Sequence, residues 1–190
     1  MLVAISGGIG SGKSVVARIL RSIGYEVYDC DSRARQLIDN SPEIKSEIVE
    51  CIGRCCISEN GCLDRKTVGE IVFKDPDKLA ILNRITHAAV RKDIVRWQNQ
   101  QPSQLKFVET AILYQSEIDR MVDAVIEVIA PVNVRIERIQ ERNRLTVDEI
   151  MNRINAQNFT VSNPHPRVYT IDNNGKTAIL PQVEGILKSL

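Results

Sequence analysis

Short apolar runs rich in β-branched residues alternate with longer stretches of helical periodicity along most of this chain. Five of the short runs have the length and composition of buried β-strands. Strands that alternate with helices are typical of a parallel sheet with helices packed on its faces. We therefore predict an α/β fold with a parallel five-stranded sheet flanked by helices, the strands lying at 2–6, 25–29, 105–109, 123–130 and 167–171.

Two of the helical stretches carry clear signals at their ends. The first begins inside a glycine-rich segment and ends at Gly24, a residue type that commonly closes helices. The second opens with Asp75 as its N-cap and Pro76 at the first helical position, and it extends over 77–97. Its apolar residues recur every three or four positions, which predicts one buried face formed by Leu79, Leu82, Ile85 and Ala89.

Between residues 32 and 104 the strand signals fade and helices dominate. The length of 190 residues fits one domain. We therefore predict a single domain with a sheet core over 1–31 and 105–190, into which a helical segment is inserted over 32–104.

The charge balance is nearly neutral, with 25 basic against 24 acidic residues. This lacks the basic excess typical of nucleic-acid-binding proteins. No segment approaches the roughly 20 apolar residues that span a bilayer, and the N-terminus lacks the features of a secretion signal. We expect a cytoplasmic protein without a nucleic-acid or membrane partner, and its oligomeric state stays open.

Four of the five cysteines lie between 51 and 62. Without a secretion signal, a disulfide framework is not expected. Four thiols within a dozen residues also suggest zinc, but CxxC pairs and a nearby histidine are missing, and the adjacent Cys55 and Cys56 suit tetrahedral coordination poorly. We therefore expect free thiols.

A glycine-rich segment, GGIGSGKS at 7–14, follows the first predicted strand and opens the first helix. Gly7, Gly12, Lys13 and Ser14 match the phosphate-loop pattern G-x-x-x-x-G-K-S in full. In such a loop, glycines let backbone N–H groups surround phosphate oxygens, and the helix N-terminus adds its own. The lysine binds the β- and γ-phosphates, and the serine hydroxyl is a ligand for Mg²⁺. We therefore expect a nucleoside triphosphate with Mg²⁺.

Two functional classes remain open for such a loop, a small-molecule kinase and a nucleotide-dependent switch or motor. The guanine motif N-K-x-D of GTPases is absent from the sequence. The segment 172–175 does read D-x-x-G, but it follows the last predicted strand rather than the middle of the sheet. The chain is also short for an assembly ATPase, so the sequence favours a kinase.

Asp29 and Asp31 lie where the second predicted strand ends. The carboxyl ends of parallel strands form the ligand crevice in this type of sheet. If the chain stays extended through Cys30, both carboxylates project to the same side, where one of them can orient or deprotonate an attacking hydroxyl. The alternative is that Asp31 only N-caps the following helix.

Arg135, Arg138 and Arg142 fall on one face of the helix predicted after the fourth strand. Arginine forks match the charge that develops on a transferring phosphoryl group. We interpret 132–158 as a mobile lid that closes over the triphosphate and excludes water. The alternative is a solvated helix in which the intervening glutamates neutralise the arginines.

Together these motifs resemble the dephospho-CoA kinase family. The resemblance rests on ISGGIGSGKS, DCDSRARQL, LNRITHAAV, RIERIQERN with RINAQ, and IDNNG, and it covers essentially the whole chain in order. It implies a P-loop kinase fold, in which ATP phosphorylates the ribose 3′-hydroxyl of dephospho-CoA to give CoA and ADP. It also implies that the insertion over 32–104 is a CoA-binding lobe.

The resemblance assigns roles to particular residues, with Asp31 aligning and deprotonating the hydroxyl. The implied catalytic set is Asp31, Lys13, Arg138 and Arg142. The implied substrate-binding set is Asp31, Arg35, His87 and Glu109. The implied nucleotide-binding set is Gly8, Gly10, Ser11, Gly12, Lys13, Ser14, Val15, and, near the adenine, Asn174 and Gly175. Ser14 is also the implied Mg²⁺ ligand. His165, between two prolines, is interpreted as a loop residue without a chemical role.

The sequence departs from the family pattern in several places. Residues 110–114 read TAILY where the family usually has Pro-Leu-Leu-Phe-Glu, so Glu109 is expected to supply that carboxylate. Ala88, Asn143 and Val15 replace a usual proline, aspartate and threonine. An adenylate-kinase-like or other small-metabolite kinase is the alternative enzyme, and a nucleotide-regulated binding module is the alternative without catalysis.

Overall fold

The sheet predicted from the five apolar runs is confirmed, with all strands parallel and each within one residue of its predicted bounds. The computed structural model describes residues 1–58, 61–100, 104–143, 145–157 and 163–190. The strands are β1 (Leu2–Ser6), β2 (Glu26–Asp29), β3 (Lys106–Glu109), β4 (Ala124–Ile129) and β5 (Val168–Asp172). Their order in the sheet is β2-β3-β1-β4-β5.

Helices connect these strands and form a second group between β2 and β3. In chain order they are α1 (Lys13–Ser22), α2 (Cys30–Asn40), α3 (Pro42–Ile52), α4 (Arg65–Val72), α5 (Pro76–Gln100), α6 (Val132–Asn143), α7 (Val147–Ala156) and α8 (Ile179–Leu187). The chain divides into a sheet unit, Met1–Asp29 with Gln101–Leu190, and a helical unit, Cys30–Gln100. Within the described ranges, no helix is both long and apolar enough to cross a membrane.

The core of the sheet unit is built on the central strand β1, whose side chains from Leu2 to Ile5 are fully buried. Residues of α1 and α8 pack against it with β3, β4 and β5. The strand register sets Glu109 of β3 between Ile5 of β1 and Asp29 of β2. The carboxyl ends of these three strands therefore lie at one edge of the sheet, beside the segment that leads into α1.

Helix α1 ends as the sequence predicts. Gly24 has a φ of +98°, its N–H donates to the carbonyl of Arg21 at 3.1 Å, and the Tyr25 N–H donates to Leu20 at 3.0 Å. This pair of bonds is the Schellman motif, which needs a left-handed residue after the helix. Glycine adopts that conformation without a Cβ clash, so Gly24 turns the chain from α1 into β2.

The helical unit packs around its own apolar cluster, which includes Ile48, Ile52, Cys56, Val68 and Ile85. Helix α5 begins as predicted, because the Asp75 carboxylate accepts hydrogen bonds from the N–H groups of Asp77 and Lys78 at 3.2 Å. The predicted buried face is only partly correct. Ile85 is buried, but Leu79, Leu82 and Ala89 are half-buried, and Val90 and Ile94 complete the face.

The condition under which Asp29 and Asp31 would project to the same side is not met. The chain does not stay extended through Cys30, because α2 already begins there, and Asp31 is the second residue of the helix rather than its N-cap. The physical reason lies in the neighbouring strand. β3 ends at Glu109, opposite Asp29, so the ladder that holds β2 extended also ends there.

None of the five cysteines forms a disulfide in the structure. Cys30 and Cys56 are buried, Cys51 is half-buried, and Cys55 and Cys62 are exposed. In the part of the chain that the structure describes, no group of three or more histidine, cysteine or acidic side chains is arranged to hold a metal ion. Burial, together with the neighbouring Cys55 thiol, raises the pKa of Cys56.

Two glycine-to-alanine substitutions should change stability in opposite directions. A Cβ at either Gly24 or Gly185 would meet no atom within 4 Å. Gly24 has a positive φ, so we expect Gly24→Ala to lower the free energy of unfolding by about 1 kcal/mol. Gly185 lies inside α8, so Gly185→Ala should raise that free energy by about 0.5–1 kcal/mol. Urea denaturation measures the free energy of unfolding of both variants, provided that their m-values equal that of the wild type. A change of the same sign in the two variants would contradict this explanation.

The cysteines should react with a thiol reagent in the order of their exposure and thiolate content. We expect iodoacetamide at mildly alkaline pH to modify Cys55 and Cys62 first. Cys56 should react last, because its raised pKa leaves less thiolate and its side chain is buried. Peptide mass spectrometry over time gives the order. Modification of Cys56 as fast as that of its neighbour Cys55 would show that this segment opens readily.

Candidate active site

The segment between β1 and α1 folds into a loop closed by its own lysine. Lys13 donates from Nζ to the carbonyl oxygens of Gly7 at 2.8 Å and Gly8 at 3.2 Å. Gly12, with a φ of +96°, is the N-cap of α1 and provides no side-chain cap. The N-terminus of α1 therefore presents its first turn and its positive dipole end to the loop, an arrangement that favours an anion.

The loop glycines are required by the protein itself as well as by any ligand. A Cβ at Gly7 would overlap the carbonyl oxygen of Val128, and one at Gly12 would overlap Nδ2 of Asn173. At Gly10 it would lie 2.9 Å from the carbonyl oxygen of Arg135. At Gly8 it would meet the Arg135 guanidinium instead, the flexible end of a side chain. Three of the four glycines are thus fixed by close backbone or amide neighbours.

Two arginines of α6 reach the loop and one does not. Arg135 donates from Nε to the carbonyl oxygen of Ile9 at 2.7 Å. Arg138 donates from Nη1 to the carbonyls of Gly10 and Ser11, both at 3.5 Å. Arg142 is exposed and bonds to its neighbour Asn143 at 2.9 Å. Burial lowers the pKa of Arg135, which was in the predicted arginine face but outside the predicted site.

The segment after α6 contributes a further contact. A capping box of Thr146 and Glu149 starts α7, and Gln157 just beyond the helix accepts a hydrogen bond from the Ile9 N–H at 2.6 Å. The Ile9 side chain packs against the apolar cluster of Ile139, Ile150 and Ile154. Ile9 is thus held by its N–H, its carbonyl and its side chain. Sequence reasoning missed Gln157, although an isoleucine among loop glycines was a signal.

Asn173 is a second residue that sequence reasoning missed. It follows β5, is buried, and bonds both to Ser11 at 2.7 Å and to Arg138 at 3.0 Å. The sequence analysis had selected the next two residues of the same motif. The side chain of Asn174 bonds to Asp172, Thr177 and the N–H groups of residues 176 and 177, and so builds the turn at Gly175, where φ is +84°.

A small cavity opens on the β4 side of the loop. It has a volume of about 290 Å³ and is lined by Gly8, Ser11, Glu127, Val128, Ile129, Ala130, Arg135 and Gln157. The Ser11 hydroxyl is buried and has no hydrogen-bond partner among the described residues. A buried polar atom without a partner costs free energy, so a ligand oxygen near Ser11 would relieve that cost.

The predicted acceptor-side residues belong to both units. Glu109, half-buried, ends β3 in the sheet unit. Asp31 and Arg35 are both exposed and lie four positions apart in α2, so they share one face of that helix. His87 is half-buried in α5 of the helical unit.

The residues of the segment 110–114 make structural contacts. The Thr110 hydroxyl accepts from the Ile112 N–H at 3.2 Å, and Leu113 is buried. The Tyr114 hydroxyl accepts from the His165 N–H at 3.3 Å. The His165 ring accepts a hydrogen bond at Nδ1 from the Arg167 N–H and bonds through Nε2 to the carbonyl oxygen of Val122, both at 3.1 Å, which supports a structural role for this histidine.

Comparison with known proteins identifies relatives of this chain. The family model for dephospho-CoA kinase matches residues 1–178. Dephospho-CoA kinase from Porphyromonas gingivalis is 36% identical to the chain, over 99% of this chain and 93% of that protein. Dephospho-CoA kinase from Wolinella succinogenes is 34% identical, over 99% of this chain and 94% of that protein. A crystal structure from Thermus thermophilus has a TM-score of 0.78 at 29% identity, covering 100% of this chain and 95% of that one.

More distant structures share the fold alone. Dephospho-CoA kinase from Campylobacter jejuni superposes with a TM-score of 0.68 at 22% identity, over 99% of this chain and 94% of that one. Shikimate kinase from Aquifex aeolicus superposes with a TM-score of 0.51 at 18% identity, over 100% of this chain and 95% of that one. The predicted P-loop kinase fold is confirmed. With the family model matching nearly its whole length, the chain belongs to the dephospho-CoA kinase family.

Proposed function

We propose that the sheet unit holds the triphosphate of ATP at the loop Gly7–Ser14 and that Asp31 acts on the acceptor hydroxyl. The reaction itself follows from the family: the chain is an ATP-dependent kinase that phosphorylates dephospho-CoA, the last step of coenzyme A synthesis. One observation carries the proposal. The cationic groups of Lys13, Arg135 and Arg138 all hydrogen-bond to the backbone of the loop between Gly7 and Ser11.

The donor side has the groups that a triphosphate needs. The N-terminus of α1, the Lys13 ammonium and the buried Ser11 hydroxyl can all donate hydrogen bonds to phosphate oxygens. Arg138 adds a planar fork suited to the equatorial oxygens of the transferred group. Arg142 is assigned to the same lid by resemblance, although it is exposed and bonds to Asn143. We assign the adenine to the turn at Asn174 and Gly175, also by resemblance.

Ser14 fits the role of a Mg²⁺ ligand. It is exposed in the first turn of α1, and a hydroxyl oxygen is the kind of hard donor that this ion prefers. Bound there, Mg²⁺ would neutralise charge on the β- and γ-phosphates. Val15 completes the first turn of α1 and would contact the nucleotide only through its backbone.

On the acceptor side, Asp31 removes the proton from the ribose 3′-hydroxyl as the oxygen attacks the γ-phosphorus. The bond from that phosphorus to the β–γ bridging oxygen breaks, and ADP leaves. Asp31 lies only two residues beyond the carboxyl end of β2. Arg35, on the same helical face, is available for an anionic group of the acceptor, with His87 and Glu109 as further contacts. We assign CoA binding to the helical segment 32–104.

An acceptor screen tests the proposed function. Purified protein with ATP and Mg²⁺ is incubated with dephospho-CoA, AMP, other nucleoside monophosphates or simple sugars, and ADP release is followed. We expect turnover with dephospho-CoA alone, giving a product that co-elutes with CoA. Turnover with AMP or a sugar instead would exclude dephospho-CoA as the acceptor. The assignment of the phosphate loop to ATP binding would still hold.

Two substitutions separate the acceptor side from the donor side. Asp31→Asn keeps the shape of the side chain but removes the base, so kcat should fall by roughly 10²–10⁴-fold with ATP binding kept. Lys13→Ala should weaken both ATP binding and turnover. Glu117→Gln, outside both the loop and the segment 32–104, removes an ion pair with Arg120 and should leave kcat unchanged. If Asp31→Asn turns over at the rate of Glu117→Gln, Asp31 is not the base.

A further inference from the structure

The side chain of Asn173 bridges the phosphate loop and the arginine-bearing helix α6. Its Nδ2 donates to the carbonyl oxygen of Ser11 at 2.7 Å, and its Oδ1 accepts from Nη2 of Arg138 at 3.0 Å. The residue is only 5% exposed. Its own N–H donates to the carbonyl oxygen of Ile129 at 2.8 Å, which fixes it to the end of β4.

The partners determine both the orientation and the chemical type of this side chain. The Ser11 carbonyl can only accept a hydrogen bond, and a guanidinium can only donate one. The bridging group must therefore offer a donor and an acceptor about two bonds apart, which a carboxamide does. A carboxylate would keep the bond to Arg138 but would set its second oxygen against the carbonyl of Ser11. An apolar side chain would lose both bonds.

Asn173 makes the best hydrogen bond that Arg138 has to the described residues. The other bonds of that guanidinium, to Gly10 and Ser11, are both 3.5 Å long, at the limit of a hydrogen bond. The loop is shaped to accept this contact, because a Cβ at Gly12 would overlap Nδ2 of Asn173. Gly12 is followed directly by Lys13, so the amide lies against the loop residue before that lysine.

We propose that Asn173 is a positioning residue for phosphoryl transfer, which holds the Arg138 guanidinium in register with the phosphate loop. This rests on the proposed function and adds a residue to it. Asn173 acts through Arg138 and the loop backbone. An arginine that is already oriented stabilises charge on the transferring group without first losing side-chain entropy. Without the bridge, the long side chain of Arg138 would sample other rotamers, and its charge would be misplaced.

The test measures kcat and KM of Asn173→Leu with dephospho-CoA and ATP, with the folded fraction measured by thermal unfolding. We expect kcat per folded molecule to fall by about 10- to 100-fold, as for a misplaced catalytic group. KM for dephospho-CoA should be unchanged. Asn173→Asp, which is isosteric, serves if the leucine variant does not fold. It should also lose kcat, because its carboxylate pairs with the guanidinium and repels the Ser11 carbonyl.

A double-mutant cycle with Arg138→Met separates positioning from a general structural role. If Asn173 acts through Arg138, the double variant should be no slower than Arg138→Met alone. Gln182→Leu is the matched control, because the amide of Gln182 hydrogen-bonds, among the described residues, to the backbone of Asp172 at 2.9 and 3.0 Å and of Ala178 at 3.0 Å rather than to the loop or α6. It should lower stability and leave kcat per folded molecule unchanged.

Several outcomes would overturn the inference. One is an unchanged kcat in a folded Asn173→Leu or Asn173→Asp variant. Another is that replacing Asn173 lowers kcat by the same factor in the wild-type and Arg138→Met backgrounds. A third is that Gln182→Leu lowers kcat per folded molecule as much as Asn173→Leu does. Wild-type protein that does not phosphorylate dephospho-CoA would instead contradict the proposed function, so the two failures are distinguishable.

Discussion

The backbone of the phosphate loop has no strand ladder and no helix of its own to satisfy its polar groups. Unpaired backbone groups away from water are costly, and most of the contacts around the loop follow from this constraint. Arg135 donates to the Ile9 carbonyl, Gln157 accepts from the Ile9 N–H, and Asn173 donates to the Ser11 carbonyl. Three segments that are far apart in the sequence thereby converge on one short turn.

The same constraint connects the fold to the chemistry. The groups that satisfy the loop are cations and amides, which are also the groups that a triphosphate requires. In this structure, Lys13 and Arg135 donate hydrogen bonds to carbonyl oxygens of the loop. Under the proposed function, a bound nucleotide would compete for donors that the protein already holds in place. The structure holds these cations at the loop in advance, which would limit the entropy that binding of a nucleotide there must remove.

The sheet and the loop were predictable because their signals are local. Five apolar runs, Gly24 after α1, and Asp75 with Pro76 before α5 each determine structure within a few residues, and all were predicted correctly. The sequence left the path through Cys30 open, because that path depends on where the neighbouring strand ends. The roles of Asn173 and Gln157 were missed, since their partners lie 162 and 148 residues away in the sequence.

The sequence alone determined the positions of the five strands along the chain, the presence of a phosphate loop and the family, because propensity, periodicity and a contiguous motif require no knowledge of distant neighbours. The tertiary structure decided which polar side chains complete the loop. It placed Arg135 and Arg138 at the loop, left Arg142 exposed, and used Asn173 rather than Asn174 as the bridge. The physical reason is that one face of a helix, or one turn after a strand, offers several equivalent side chains, and only packing selects among them.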